Sequence, residues 1–410
     1  MLTYHFQAFF GGQPVLVLTL VLILVYVPRH RVRTTKSVRD RLKELDWIGY
    51  TLHASTVILF SVACAASGPA WESSEAPTGG AWALFGAVLL VYTIQQFLGL
   101  GTGAQRRTIL PCALLRDRTA LLTAVCTACA GAATALVVYY TPIYFVLMRI
   151  HTRVDATSRL VPFLCAFVAS ALLVSGGGLL AYVRAYKLLF MFAAAALAVG
   201  SGLLHALTPE TSDSSIRAYE ALIGAGVGAL WNLASPVCAV VLTTSSSSSS
   251  SMSSASASSQ RTRALLDQAA LHALAQVGGM AAGRAAAAVL FHGAGSRLLR
   301  TALADAAYSD ADVRELLAGI KDSAILAESN PDTVAVVFEI VARATARCFS
   351  VLVAASVACF AAACCLRPDE IDFSAPALAV PGTGASAGVA NGAPSSSAGG
   401  RGADRSEPPE

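Results

Sequence analysis

Charged side chains are scarce in this sequence: only 13% of its 410 residues are Asp, Glu, Lys or Arg, while 55% are hydrophobic. A soluble domain carries about a quarter charged residues, so this composition is not that of a water-soluble domain. The net charge of +4 is small and concentrated in short basic stretches, which disfavours a nucleic-acid partner. The sequence also lacks a nucleotide-binding loop and a cluster of metal ligands, so we predict neither an enzyme nor a cofactor.

The sequence instead contains long apolar stretches. Several run for about 20 residues with little or no charge, which is the length that crosses roughly 30 Å of hydrocarbon. They predict an all-α polytopic membrane protein, partnered by the lipid bilayer, with about nine transmembrane helices. The segments lie near residues 12–27, 47–67, 81–101, 119–147, 158–182, 187–207, 218–242, 266–292 and 347–366.

The loops between these segments predict the orientation of the chain, because Lys and Arg in short loops mark the cytoplasmic side. The loops after segments one, three and five are basic, whereas those after segments two and six are acidic. Only the loop with Arg149, Arg153 and Arg159 departs from this alternation. The pattern places the N-terminus outside and the C-terminus in the cytoplasm. The first segment has no charge before it and seven basic residues after it, which is the reverse of a cleaved secretory signal.

Several short motifs beyond the basic loop follow one another in a recognisable order. They are "LKELDWIGYTL" (Leu42–Leu52), "VVYYTPIYFVLMRI" (Val137–Ile150), "YEALIGAGVGALWNLASPVCAVV" (Tyr219–Val241) and "QVGG", which contains Gln276, Gly278 and Gly279. In this order and spacing they resemble the major facilitator superfamily (MFS). The similarity is to its fungal fourteen-helix drug:proton antiporters and toxin-efflux pumps.

The resemblance implies a partial MFS fold. Its expected parts are the family's sixth helix at 1–27, a basic cytoplasmic loop at 28–46, two linker helices at 47–101 and the C-terminal six-helix half at 119–366. Within that half we expect a flexible Ser-rich cytoplasmic loop at 243–259 and an outer loop at 293–346 with a short amphipathic helix around Asp310–Ile325. A disordered cytoplasmic tail is expected at 367–410. Counterparts of the family's first five helices are absent from the sequence, so we expect a truncated chain that cannot transport alone.

Aromatic and polar residues within the apolar segments are candidates for a substrate surface. Tyr139, Tyr140 and Tyr144 can stack on a planar compound and offer hydroxyl groups, although Tyr at a helix end also forms interfacial aromatic belts. Trp231, Asn232 and Gln276 lie inside segments, where a buried amide needs a partner from a pocket or another helix.

Small residues form the second candidate set. They indicate close helix packing, and in a transporter the same small faces can let helices slide during gating. The set comprises Gly224, Gly226, Gly228, Gly278, Gly279 and Gly283.

Acidic residues are missing from the middle of the predicted segments. Proton coupling generally needs such a carboxylate, yet Asp46, Glu220 and Asp267 all lie at segment ends. We therefore expect the proton-carrying acid in the missing half. Arg284 lies in the same predicted segment as Gln276 and Gly279, and an arginine at this position is unusual for the family.

The resemblance implies a transporter in the plasma membrane, or in the vacuolar membrane, that exports small amphipathic drugs or toxins by proton antiport. The alternative is a non-transporting membrane protein fragment, or a half-transporter that needs a partner. Neither the substrate nor the oligomeric state follows from the sequence.

Overall fold

The computed structural model describes residues 46–66, 75–98, 112–115, 117–148, 153–176, 179–183, 185–208, 210–247, 254–303, 309–317, 325 and 331–368. The first predicted segment, and the predicted tail beyond residue 368, lie outside these ranges.

All regular structure in the described ranges is helical. The helices are α1 (Trp47–Ala66), α2 (Glu75–Leu98), α3 (Cys112–Leu115), α4 (Arg118–Met148), α5 (Arg153–Ser158), α6 (Val161–Ala171), α7 (Leu179–Tyr182), α8 (Tyr186–His205), α9 (Asp213–Ser247), α10 (Ser254–Ala302), α11 (Asp310–Leu317) and α12 (Pro331–Cys364). A π-helical turn, Leu172–Gly176, continues α6.

Eight of the described helical segments are long and apolar enough to cross a membrane. They occur at the positions of the second to ninth predicted segments, from Trp47–Cys64 to Val334–Cys364. The chain is therefore an all-α polytopic integral membrane protein, as predicted.

Six of these helices, α4, α6, α8, α9, α10 and α12, pack into one bundle. Helix α4 contacts α9, α10 and α12, while α8 lies between α9 and α12, and α6 packs on α9. The shared core is apolar and includes the fully buried Leu136, Phe190, Ile223, Phe291 and Leu352. Because the bundle has its own continuous core, it is the part of the chain in which side chains from several helices can meet.

Helices α1 and α2 form a hairpin that contacts the bundle only lightly, through α10. Asp46 caps α1 by accepting a hydrogen bond from the Gly49 amide at 2.9 Å, and its second carboxylate oxygen accepts one from Gln95 at 3.1 Å. A Cβ on Gly49 would overlap the Asp46 carboxylate, so a larger residue there would displace the capping side chain. The cap places a polar anchor at one end of an otherwise apolar pair.

The helix ends differ from the predicted loop boundaries. Helix α9 runs to Ser247 and α10 begins at Ser254, so helices occupy both ends of the predicted Ser-rich loop. Helix α10 likewise continues to Ala302, and α12 begins at Pro331, within the predicted outer loop. Once a helix is established, Ser and especially Ala can extend it at little cost in free energy. Because these residues are not strongly apolar, hydrophobicity along the sequence does not reveal the extension.

Helix α11 occupies the first part of the predicted amphipathic segment. It starts with a reciprocal cap: the Asp312 amide donates to Ser309 Oγ at 3.3 Å, and the Ser309 amide donates to the Asp312 carboxylate at 2.7 Å. The Ser309 hydroxyl donates to the same oxygen, and these bonds to the charged form lower the pKa of Asp312.

Candidate functional site

Glycines on α9 bring three helices into close contact. Gly224 and Gly228 lie against the backbone of α6, at the carbonyl oxygens of Phe163 and Phe167. Gly226, on another face of α9, lies against the backbone of α8. A Cβ at any of the three would overlap backbone atoms, so α6 and α8 can approach α9 this closely only because these residues are small.

A second set of small residues joins α4 and α10. Gly279 lies against the Ala128 carbonyl of α4, and Gly283 lies against Ala132 one turn further along. Gly131 of α4 faces the Gln276 carbonyl from the opposite side. Gly278 differs from the other predicted packing glycines, because no described atom outside its own turn of helix lies within 4 Å of its would-be Cβ.

The three candidate tyrosines on α4 have different surroundings. Tyr140 is buried and packs edge-to-face on Phe291 of α10, with ring centroids 5.7 Å apart. Tyr144 is also buried, and its hydroxyl donates to the Thr208 carbonyl at 3.2 Å. Tyr139 is 40% exposed. The structure therefore does not bring the three rings to one accessible surface.

The other predicted substrate residues are also dispersed. Trp231 is partly buried and packs edge-to-face on Phe167, with ring centroids 5.1 Å apart. Asn232 is exposed among the described residues, which differs from the expectation that a buried amide there would need a partner. Gln276 lies at the α4–α10 interface, and its side-chain nitrogen is buried without a hydrogen-bond partner among the described residues.

Arg284 on α10 lies beside the exposed Tyr139 ring. Its guanidinium carbon lies 4.2 Å from the centroid of the Tyr139 ring, within the range of a cation–π interaction. Both side chains are exposed at the edge of the α4–α10 interface. The isolated charge of Arg284 is visible in the sequence, but its position beside an aromatic ring depends on how α4 and α10 pack.

Glu220 lies near the start of the candidate span on α9, as expected from the sequence. It is fully buried in α9, inside the candidate span Asp213–Cys238. Neither of its carboxyl oxygens has a hydrogen-bond partner among the described residues. Arg217, one turn earlier on α9, attracts the Glu220 carboxylate electrostatically. The Arg217 Nε itself donates to the Asp213 carbonyl at 3.2 Å.

A buried polar group that we call the His272 cluster joins α4, α9 and α10; it consists of Thr123, Cys238 and His272. The Thr123 hydroxyl lies 3.1 Å from the Cys238 sulfur and 3.2 Å from His272 Nε2. His272 Nδ1 lies 2.9 Å from the Gln268 carbonyl oxygen, which can only accept. In the neutral ring Nδ1 therefore carries the hydrogen, and Nε2 is left as an acceptor. Sequence analysis did not predict this cluster, because Cys238 and His272 lie 115 and 149 positions from Thr123.

Within the described part of the chain, no group of three or more His, Cys, Asp or Glu residues could hold a metal ion. What the site offers instead is a membrane-embedded bundle with close helix contacts, an exposed cation–aromatic pair and one buried acid. This combination defines a polytopic helical membrane protein.

Comparison with known proteins gives the particular relatives. The chain is 28% identical over 192 residues to the efflux pump patC of Aspergillus clavatus, covering 47% of this chain and 34% of that protein. It is 29% identical over 195 residues to the MFS-type transporter patC of Penicillium expansum, covering 47% and 35%. It is 26% identical over 194 residues to the MFS-type transporter TOXA of Cochliobolus carbonum, covering 47% and 34%.

The chain is thus a relative of fungal MFS-type transporters and efflux pumps, as the motif resemblance predicted. It spans about a third of the length of the curated relatives that it matches. No family model matches the chain.

Proposed function

We propose that this chain acts in an MFS-type transporter that exports small amphipathic compounds across a membrane. The observation that carries the proposal is the 28–29% identity to efflux pumps and transporters over 47% of the chain. The bundle of apolar, membrane-length helices supports it, because such transporters bind substrate between two halves and rock one half against the other.

The glycine contacts supply the movable interfaces in this proposal. Gly224 and Gly228 let α9 slide on α6, and Gly226 lets it slide on α8, because no large side chains interlock at these contacts. Tyr139, with its exposed ring, and Asn232 on α9 are the predicted substrate residues that remain accessible. We propose that substrate contacts these accessible side chains, whereas Tyr140, Tyr144 and Trp231 act indirectly by fixing the helices.

Glu220 supports proton antiport as the driving reaction. An ionisable side chain inside a membrane segment is costly and commonly marks an ion or proton pathway. Glu220 is buried without a hydrogen-bond partner among the described residues, so its charged form lacks stabilising donors. Taking up a proton makes the side chain neutral, and releasing it changes how well α9 packs. Such a group couples proton binding to helix movement.

The chain alone is proposed to be incompetent for transport, since the bundle corresponds to one half of the alternating-access machinery. The second candidate is a half-transporter that needs a partner, or a membrane protein without transport activity. It is favoured by the chain spanning about a third of its relatives' length. In both cases we propose a plasma-membrane location, with the vacuolar membrane as the alternative and the C-terminus in the cytoplasm.

An efflux assay in a yeast strain that lacks its own drug pumps tests these proposals. The chain is expressed alone, or together with the N-terminal part of the Penicillium expansum patC transporter, and export of a fluorescent amphipathic dye is measured. We expect export only from the pair. Export by the chain alone would refute the proposed incompetence, and no export in either case would favour the non-transporting alternative. An epitope on the C-terminus should react with antibody only after permeabilisation.

A further inference from the structure

Arg284 is an isolated positive charge within a membrane-length helix. It is the only charged residue between Asp267 and Arg297, and it lies in the candidate span Ala264–Ala302. The thirteen residues from Arg284 to Arg297 correspond to roughly 20 Å along a helix, which is further than an arginine side chain can reach. Extending the side chain to the next polar stretch therefore does not relieve its desolvation.

The surroundings of Arg284 do not neutralise it. Its interaction in the structure is with the Tyr139 ring, 4.2 Å away, and an aromatic face attracts a cation without cancelling its charge. The ion pairs among the described residues lie elsewhere, between Arg159 and Asp213 and between Arg343 and Glu339. The guanidinium thus lies over one aromatic ring, and an acidic partner for it is absent from the described residues.

The geometry is suited to an anion with a flat apolar body. The guanidinium carbon lies over the ring, and an aromatic ring accepts none of the guanidinium's conventional N–H hydrogen bonds. The edge N–H groups of a guanidinium bind a carboxylate through two parallel hydrogen bonds. The exposed Tyr139 ring next to it offers a surface on which a planar group can stack. Both side chains are on the accessible side of the bundle, unlike Tyr140 and Tyr144.

We propose that Arg284 and Tyr139 form a binding site for the anionic group of a planar organic acid, so that the exported compound is an organic anion. This inference rests on the proposed export function and deepens it by naming the class of substrate. Arg284 supplies the charge complement, and Tyr139 holds both the guanidinium and the flat part of the ligand.

The test uses the full chain in nanodiscs of phosphatidylcholine and three probes of the same shape: 2-naphthoate, 2-naphthalenemethanol and 2-naphthylmethylammonium. Binding is measured by equilibrium dialysis with naphthyl fluorescence. We expect naphthoate to bind roughly ten-fold more tightly than the alcohol, the difference that one charge-assisted hydrogen bond makes, and the ammonium to bind most weakly. Arg284→Gln should remove the preference for naphthoate, and Arg284→Lys should retain part of it.

Two further variants serve as controls. Arg343→Gln removes an exposed arginine that is paired with Glu339, and it should leave the preference unchanged. Tyr139→Leu should weaken the binding of all three probes without changing the order of their affinities. Equal affinity of naphthoate and the alcohol for the native chain, or a preference that survives Arg284→Gln, would overturn the site.

Anionic lipid is the other source of such a ligand. If phosphatidylserine in the nanodisc abolishes naphthoate binding, the site is occupied by a lipid headgroup and the substrate assignment is wrong; if binding persists, the assignment stands. Failure of this site is distinguishable from failure of the proposed function. Dye export that does not depend on Arg284 would support the export function and reject the anion site. Naphthoate binding that depends on Arg284, without any export, would support the anion site and reject the export function.

Discussion

The bundle contains two buried polar sites that differ in how their hydrogen bonds are satisfied. In the His272 cluster, the Thr123 hydroxyl lies within hydrogen-bond distance of both His272 and Cys238, so α4, α9 and α10 are joined. Glu220, on the same helix as Cys238, is equally buried, yet both of its oxygens lack a hydrogen-bond partner among the described residues.

In the proposed mechanism, this difference separates a structural polar site from a functional one. A buried group with partners strengthens the packing around it, whereas a buried carboxyl without them costs free energy that other contacts must offset. Such a costly group is expected to persist where the function uses it. We therefore interpret the His272 cluster as a fixed junction and Glu220 as the group whose protonation moves α9.

The largest effect is expected from removing the ring of the fixed junction. His272→Leu removes the ring's contacts with Thr123 and the Gln268 carbonyl and changes the buried volume, so it should lower the free energy of unfolding by about 3 kcal/mol. The Thr123 hydroxyl keeps the Thr119 carbonyl as an acceptor in this variant. SDS-induced unfolding in mixed micelles measures this change. Asn232→Ala is the control, since Asn232 is exposed and should change little. A His272→Leu chain as stable as the native one would mean that the cluster is not a structural junction.

The next effect tests whether close contact between α4 and α10 maintains the junction. Gly279 follows His272 by about two turns, and a Cβ there would overlap the Ala128 carbonyl. Gly279→Ala should therefore separate the helices and cost about 2 kcal/mol in the same unfolding measurement. Gly278→Ala is the matched control, because that position is open and alanine favours a helix by roughly 0.5–1 kcal/mol. Equal effects of the two substitutions would contradict the assigned contact.

A change of the opposite sign is expected at Glu220. Replacing it with Leu removes the unpartnered carboxyl and should raise the free energy of unfolding by about 1 kcal/mol. Glu220→Gln should keep the fold but abolish the proton release that a bound export substrate induces, measured with a pH-sensitive dye in weak buffer. Strong destabilisation by Leu would show that Glu220 has a structural partner, and unchanged proton release in the Gln variant would reject it as the coupling group.

The smallest effect is expected at the edge of the fixed junction. Cys238 is a weak hydrogen-bonding partner, so Cys238→Ala should lower the free energy of unfolding by only about 0.5 kcal/mol, well below His272→Leu. Thermal unfolding followed by circular dichroism is sensitive enough for the comparison. A loss as large as that of His272→Leu would assign the stability of the junction to the sulfur instead of the ring.

The sequence predicted the fold class well and the site only in part. Apolar length alone located the eight membrane-length helices, because the bilayer sets that length whatever the partners are. Close packing was expected for Gly224 and Gly279, and the structure places both against neighbouring backbones. It was also expected for Gly278, which faces open space because adjacent residues on a helix point about 100° apart.

The composition and order of residues by themselves determined that this chain is a helical membrane protein related to exporters, since scarce charge, apolar length and short motifs are local properties. Only the tertiary structure decided which polar residues meet. The packing of α4, α9 and α10 joins Thr123, Cys238 and His272, leaves Glu220 buried without a described hydrogen-bond partner and sets Arg284 over Tyr139. The physical reason is that burial and contact depend on which faces of neighbouring helices pack together, and periodicity along one helix does not contain that information.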